Sequence, residues 1–200
     1  TWDEPITFEM WFRLDGEIPL GRSCALLLQY GAMTTFKFSV LRLNITLWSM
    51  SVSIGASSSG RVGNIRMEAI LDQGVWYHAA WVYSEMEGED GLAVYLDGAL
   101  QGVLNSSLTG DWECPAPYGM EIASSGGLHC NLTIDDVRIS TGAIYTSDFI
   151  PEPYLTSTSD TVAFWRFDRL DGLIIEDQTG NEHDAILGTG SLVGDACRTP

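Results

Sequence analysis

Residues 6–14 read ITFEMWFRL, and the apolar side chains fall on every second position: Ile6, Phe8, Met10, Phe12 and Leu14 on one side, Thr7, Glu9, Trp11 and Arg13 on the other. A period of two belongs to a β-strand, because successive Cβ atoms point to opposite faces of the pleat. One dry face and one wet face predict a half-buried strand. The same period recurs in TFKFSV (35–40), SMSVSIG (49–55) and IRMEAIL (65–71), each bounded by glycine or serine clusters. WYHAAWVYS (76–84) is apolar on both sides, which places it centrally in a sheet. In GLAVYLDGALQGVL (91–104), Asp97-Gly98 stands between two apolar arms, and the tolerance of that dipeptide for positive φ predicts a two-residue hairpin turn. YGMEIAS, NLTIDDVRIS, TVAFWRF and GLIIED follow, with no long helix predicted. Roughly a dozen short strands separated by turn signals predict an all-β, two-sheet antiparallel sandwich or jelly roll.

Residues 164–190, FWRFDRLDGLIIEDQTGNEHDAILGTG, look like the opening of such a sandwich although they stand near the end of the chain, and EMWFRLDG at 9–16 carries a similar run closing in LDG. Segment 142–160, with Pro151, Pro153 and many hydroxyls, has the composition of an interdomain linker. The residues after it number about forty, too few for a second sandwich. We therefore expect one domain over 1–200, with 161–190 as closing strands of the same sandwich. The alternative is that they are the first strands of a following repeat. The start at Thr1, without methionine or signal sequence, is expected of a mature segment or an excised module.

A formal net charge of -17, from 27 acids against 10 bases, repels nucleic-acid phosphates and anionic lipid surfaces, so neither nucleic-acid binding nor membrane insertion is expected. The four cysteines, Cys24, Cys114, Cys130 and Cys197, include no C-x-x-C pair, which favours disulfides in an oxidising, extracellular compartment over zinc. Cys114 and Cys130 flank an apparent hairpin and are paired by preference, leaving Cys24 with Cys197. Four cysteines allow three pairings in all. Asn44, Asn105 and Asn131 head N-x-S/T triplets, sites for glycans in a secreted eukaryotic protein.

TFEMWFRLD, GVWYHAAWVY, LAVYLDGALQG and LTIDDVRIS, in that order, resemble the laminin-G-like, concanavalin A-like jelly-roll superfamily, especially its bacterial and pentraxin-related branches. The most specific parts are Trp76-x-His78-x-Ala80, the Tyr95 to Gly98 hairpin and the Ile134 to Ile139 strand. The resemblance implies a concanavalin A-like sandwich whose terminal strands lie side by side. It also implies a structural calcium joining an early-strand turn to an aspartate on the D-x-V-R-I strand, and the matching residues are Asp168, Asp177, Asn181 and Asp135. The turn DQTGNEHD (177–184) does gather oxygens from Asp177, Asn181 and the carbonyls around Gly180. Calcium takes about six to eight oxygens, so that turn needs help from outside it. The competing reading is an Asx-type turn without an ion, with Asp135 paired to Arg138 or Arg166.

Enzymes of the same fold include glucanases, whose retaining members need two carboxylates about 5 Å apart facing one groove. The nearest pattern is Glu85, Glu87 and Glu89 in SEMEGEDG, which contains Gly88 and ends in Asp90-Gly91, so it reads as an acidic hairpin loop. His78, His129 and His183 form no metal pair, and His78 is expected to fill a structural position. GASSSG (55–60) does not satisfy G-x-S-x-G, and GTGSLVG (188–194) misses phosphate-loop spacing. Sugar binding by aromatic stacking has candidates in Trp112, Tyr118 and Trp48, while Trp11, Trp76, Trp81 and Trp165 are expected in the core. The expectation is a non-catalytic, calcium-stabilised extracellular module of adhesion or recognition, binding a glycan or a protein within a larger secreted or surface protein. A structural subunit self-assembling into a filament or matrix comes second, and a diverged polysaccharide-cleaving enzyme third.

Overall fold

The computed structural model describes residues 5–16, 23–30, 34–42, 47–56, 61–86, 89–105, 120–125, 128–129, 131–168 and 172–187. The strands are β1 (Ile6–Leu14), β2 (Ser23–Tyr30), β3 (Thr34–Arg42), β4 (Leu47–Ala56), β5 (Arg61–Ile70), β6 (Trp76–Met86), β7 (Glu89–Leu96), β8 (Ala99–Asn105), β9 (Met120–Ile122), β10 (Ser124–Ser125), β11 (Leu128–His129), β12 (Leu132–Thr141), β13 (Thr161–Trp165), β14 (Ile174–Ile175) and β15 (Ala185–Ile186). They form a six-stranded sheet in the order β13-β12-β1-β6-β7-β8, a five-stranded sheet in the order β5-β4-β3-β2-β9, and two small ribbons, β10-β11 and β14-β15. The ladders are antiparallel. This is the all-β, two-sheet jelly-roll sandwich that the alternation predicts. β2 is an addition to the predicted strands: SCALLLQY is a continuous apolar run, so it lacks the period that marks a half-buried strand.

The inner face of β1 carries Phe8, Met10, Phe12 and Leu14 into one core with Tyr77, Ala79 and Trp81 of β6, Leu92 and Val94 of β7, and Leu26, Met67 and Ala69 of the opposite sheet. Phe8 and Trp81 stack with ring centroids 5.4 Å apart. β13 pairs with β12 and sends Ala163 and Trp165 into this core, and Ile175 of β14 joins them. The β14-β15 ribbon hangs from β13 through a bridge between Trp165 and Asp177 and a bond from Gln178 N to Phe164 O.

In β12 the two adjacent aspartates of I-D-D-V-R-I interrupt the alternation, and the structure puts a bulge there. Glu9 faces Arg138 and Trp11 faces Asp135, so Asp136 and Val137 together oppose Met10, and Asp136 takes φ 46. The extra residue resets the phase of the strand. Val137 and Ile139 turn into the core, and Arg138 turns outward beside Glu9.

Segment 142–160 is not an interdomain linker. It runs as a strap over the outer face of the six-stranded sheet, and the residues beneath it explain why it docks. Ala80, Val82, Ala93 and Tyr95 make a second buried cluster against Ala143, Tyr145 and Phe149, the two alanines leaving room for the strap to approach. Thr7 Oγ1 donates to Gly142 O, Phe149 N to Gly98 O, Trp11 Nε1 to Glu152 O and Leu155 N to Asp136 Oδ2. Polar positions predicted to face water, Thr7 and Glu9, are therefore buried.

The Asp97-Gly98 turn forms as predicted, with φ 48 and 76. Gly98 also carries a second constraint, because a Cβ there would lie 1.9 Å from the Phe149 carbonyl oxygen. Gly98→Ala is expected to cost at least about 1 kcal/mol from the left-handed conformation. It should also loosen the strap, read as faster amide hydrogen exchange over residues 143–149.

Candidate functional site

Four segments bring a buried polar group together on the outer face, under the strap. Glu9 comes from β1, His78 from β6, Arg138 from β12 and Tyr145 from the strap. One Glu9 oxygen, Oε1, accepts Arg138 Nε and Nη2, each at 2.8 Å. The other, Oε2, accepts the Tyr145 hydroxyl at 2.7 Å and lies 3.1 Å from His78 Nε2. His78 and Glu9 side chains have no exposed surface. The His78 ring sits edge-on to Trp11 and Phe149, with centroids at 5.2 and 5.7 Å.

Burial alone pushes the Glu9 carboxyl upward, but the His78 hydrogen bond, the Arg138 charge and the Tyr145 hydroxyl outweigh it and hold Glu9 below the ordinary carboxylate value. Burial and the Glu9 charge push the Tyr145 phenol well above its usual value. Arg138 loses hydration on burial, yet the neighbouring carboxylate leaves it more firmly protonated than usual. Glu9 is thus an anion with both oxygens filled. Because Glu9 accepts, His78 carries its proton on Nε2, and Nδ1 is left without a hydrogen-bond partner among the described residues. A general base needs an open lone pair within reach of a proton to be abstracted, and here no lone pair faces solvent. The group is a tie between strap and sheet.

A different set of side chains lies on the outer face where β1, β6 and β12 run out from under the strap. Arg13 pairs in register with Trp76, and its guanidinium carbon sits 5.0 Å from the indole centroid. Arg13 Nε bonds Asp15 Oδ1 at 2.6 Å, Thr133 Oγ1 donates to Asp15 Oδ2, and Arg13 Nη2 approaches Thr133 Oγ1 at 3.4 Å. Trp76 is 36% exposed and Trp11 half-buried, whereas Trp81 and Trp165 are in the core. The expectation that all four tryptophans are core residues fails for Trp76 and Trp11. Their positions share the phase of Glu9 and His78, the outer face.

The four residues named for calcium do not form one ligand set. Asp177 is buried, and its carboxylate accepts Phe164 N and Thr179 N at 3.0 Å, Thr179 Oγ1 at 2.7 and 2.8 Å and His183 N at 3.2 Å, with His183 Nδ1 at 3.3 Å. Burial pushes this carboxyl up, but the Thr179 and Phe164 amides, with the other donors, bring it below its usual value. Hydrogens already point at both oxygens, leaving no lone pair to hand to a cation. Asn181 Nδ2 donates to Val162 O. Asp168 is exposed and faces Arg166, which also reaches Asp136. Asp135 Oδ1 accepts the Asp136 N–H, so Arg138 and Arg166 pair with Glu9 and Asp136 rather than with Asp135. Among the described residues no three His, Cys, Asp or Glu side chains form a group that could hold a metal. Among the described residues this turn brings together no set of free ligands that fits calcium.

Of the other residues that the sequence suggests for ligands, disulfides and glycans, Trp112, Tyr118, Cys114, Cys130, Cys197 and Asn44 lie outside the described residues, as do the side chains of Trp48, Cys24 and Asn105. Asn131 is exposed. Glu85 faces Asp90 and Met86 faces Glu89 in the β6–β7 ladder, and Glu87 lies outside the described residues.

The titrations of these groups set the acid stability. Glu9 and Asp177 have folded-state pKa values below their ordinary ones, so their stabilisation is complete above the ordinary carboxylate range and is lost as pH falls through the folded values. Asp136 is raised, mainly by burial, and acts in the opposite sense, its cost being relieved in acid. Protonating Glu9 strips Arg138, Tyr145 and His78 of their shared acceptor in a dry site, so the thermal midpoint is expected to fall below about pH 4, measured by circular dichroism from pH 7 to pH 3. A midpoint that holds or rises over that span would show that the tie and the turn are not ionised.

A family model described as the concanavalin A-like lectin/glucanases superfamily matches residues 1–148. The chain belongs to this superfamily. Solved structures similar to this chain match it at low identity. A Bacteroides ovatus protein proposed to bind carbohydrate superposes with a TM-score of 0.61 at 15% identity, over 94% of this chain and 55% of that one. The CBM40 module of the Ruminococcus gnavus IT-sialidase, bound to α2,3 sialyllactose, matches with a TM-score of 0.41 at 11% identity, over 52% of this chain and 54% of that one. A heptameric SAP-like pentraxin from Limulus polyphemus gives 0.38 at 18% identity, over 51% and 44%. The chain thus spans about half the length of these three structures. No curated protein sequence matches it. Among the described residues no helix is long and apolar enough to cross a membrane.

Proposed function

We propose that this concanavalin A-like chain is a non-catalytic recognition module for glycans, working outside the cell as part of a larger secreted or surface protein. The superfamily spans lectins and glucanases, so the choice between them rests on what the carboxylates can do. The observation that carries the reading is the state of Glu9. It is the carboxylate most deeply set in the six-stranded sheet among the described residues, and both its oxygens are occupied by Arg138, Tyr145 and His78. A glucanase needs a pair of carboxylates open to one groove. The Bacteroides ovatus relative, proposed to bind carbohydrate, agrees with the lectin side of the family. The even cysteine number and the three N-x-S/T triplets support an extracellular setting.

Presented to a glycan array, the chain is expected to retain glycans while releasing no reducing ends from the same polysaccharides. Retention of nothing, together with concentration-dependent self-association, would replace this reading with that of a structural subunit. Release of sugar, lost on Glu87→Gln, would replace it with an enzyme.

A further inference from the structure

Resting on the glycan-binding reading, we infer that the outer face of the six-stranded sheet, beyond the edge of the strap, holds a binding site for a neutral pyranose, with Trp76 as its stacking platform. The strap covers Ala80, Val82, Ala93 and Tyr95. At the other end of the same face Trp76 stays 36% exposed although it is a large indole on a regular strand. Trp11 and Trp76 occupy diagonal positions on neighbouring strands, since Trp11 faces His78 and Arg13 faces Trp76. Diagonal neighbours lie about 7–8 Å apart, a spacing that long aromatic side chains bridge.

Both indoles are held. Trp11 is tied through Nε1 to Glu152 O, and Trp76 has the Arg13 guanidinium over its ring. Arg13 is itself fixed by Asp15 and Thr133. With the Arg13 guanidinium over one face of the indole, the exposed remainder of the Trp76 ring, next to an arginine that Asp15 and Thr133 hold in place, suits a sugar. The apolar C–H face of a pyranose covers an indole, and its hydroxyls exchange hydrogen bonds with polar groups beside it. Ordering in advance spares the ligand that entropic cost.

Charge selects the class of sugar. Arg13 is neutralised by Asp15 at 2.6 Å, Asp135 stands on the same strand as Thr133, and the chain carries a net charge of -17. Sialylated or uronate-bearing glycans meet repulsion at such a surface, and uncharged hexoses and N-acetylhexosamines do not.

The test is a printed array of neutral oligosaccharides, with sialylated and uronate glycans beside them, probed with wild type, Trp76→Ala, Trp76→Tyr and Trp112→Ala, each checked for an unchanged melting curve. Binding confined to neutral glycans, weakened about tenfold or more by Trp76→Ala and largely kept by Trp76→Tyr, is the expected result. Neutral binding lost in Trp112→Ala but intact in Trp76→Ala would overturn this site and leave glycan recognition standing. Binding of acidic glycans alone would overturn the assignment of ligand class. An array that retains nothing would remove both the site and the function on which it rests.

Discussion

Replacing Glu9 with alanine is expected to destabilise the fold by about 3–5 kcal/mol, the usual cost of stranding a buried charge by deleting its partner. Arg138 is 5% exposed and spends its guanidinium on Glu9 and on the Thr156 carbonyl. Without Glu9 it remains ionised in a dry site. Tyr145 and His78 lose their acceptor in the same step, and Tyr145 is one of the residues that fastens the strap. For a chain of this length about 1 kcal/mol moves the thermal midpoint by about 2–4 °C, so the variant should melt roughly 6–20 °C below wild type.

Glu9→Gln is not a rescue, because the partners are donors and an amide offers one acceptor oxygen and a competing N–H. The informative comparison is Glu9→Met combined with Arg138→Met. Removing both charges restores much of what the single change loses, since a buried pair is weak in net terms and costly only when broken. A single variant as stable as wild type would mean that Arg138 reaches water and that the strap does not seal the face.

What residue order alone reveals follows how local each feature is. The Asp97-Gly98 turn needs nothing beyond its own dipeptide and forms as expected, with both φ values positive. β1 and β6 declare themselves through alternation and through apolarity on both faces, and β6 lies between β1 and β7. β2 is silent, since ALLL has no period. The bulge is visible in principle, because Asp135-Asp136 breaks the alternation of β12, but its consequence is a matter of register. Only with the ladder known does Arg138 fall opposite Glu9.

The strap is the feature that composition leaves most open. Prolines and hydroxyls in 142–160 describe a chain that avoids regular structure, and a linker shares that composition with a segment bound to a sheet. The signal that separates the two lies elsewhere, in the alanines at 80 and 93 that leave space for Phe149 and Tyr145. Once the strap is in place the outer face divides into a sealed half holding Glu9 and His78 and an open half holding Trp76. A core position for Trp11 and Trp76 is expected only because tryptophan is usually buried, a tendency that carries no information about which face a strand presents.

Asp177→Ala is expected to cost about 2–4 kcal/mol, and to cost the same in millimolar calcium as in chelator. The carboxylate closes the turn after β14 by accepting two backbone amides two residues and more apart in sequence, Thr179 N and His183 N, and it reaches across to β13 by accepting Phe164 N. Phe164 N is buried, so without Asp177 its donor is left dry and unpaired. Trp165 sits next in the chain, with its ring in the core and Nε1 on the His183 carbonyl, so loosening the turn also unpins an anchor of β13. Asp177→Asn keeps one acceptor and loses the charge, and should fall between alanine and wild type.

The metal condition separates two physical accounts of the same aspartate. If it served as a cation ligand, calcium would raise the wild-type midpoint by mass action and leave the alanine variant unmoved. With both oxygens already taken by N–H and O–H donors, the two midpoints should instead keep a constant gap as calcium is added or removed. Melting curves of the two proteins, recorded across millimolar calcium and in chelator, decide between a turn built from hydrogen bonds and one built around an ion.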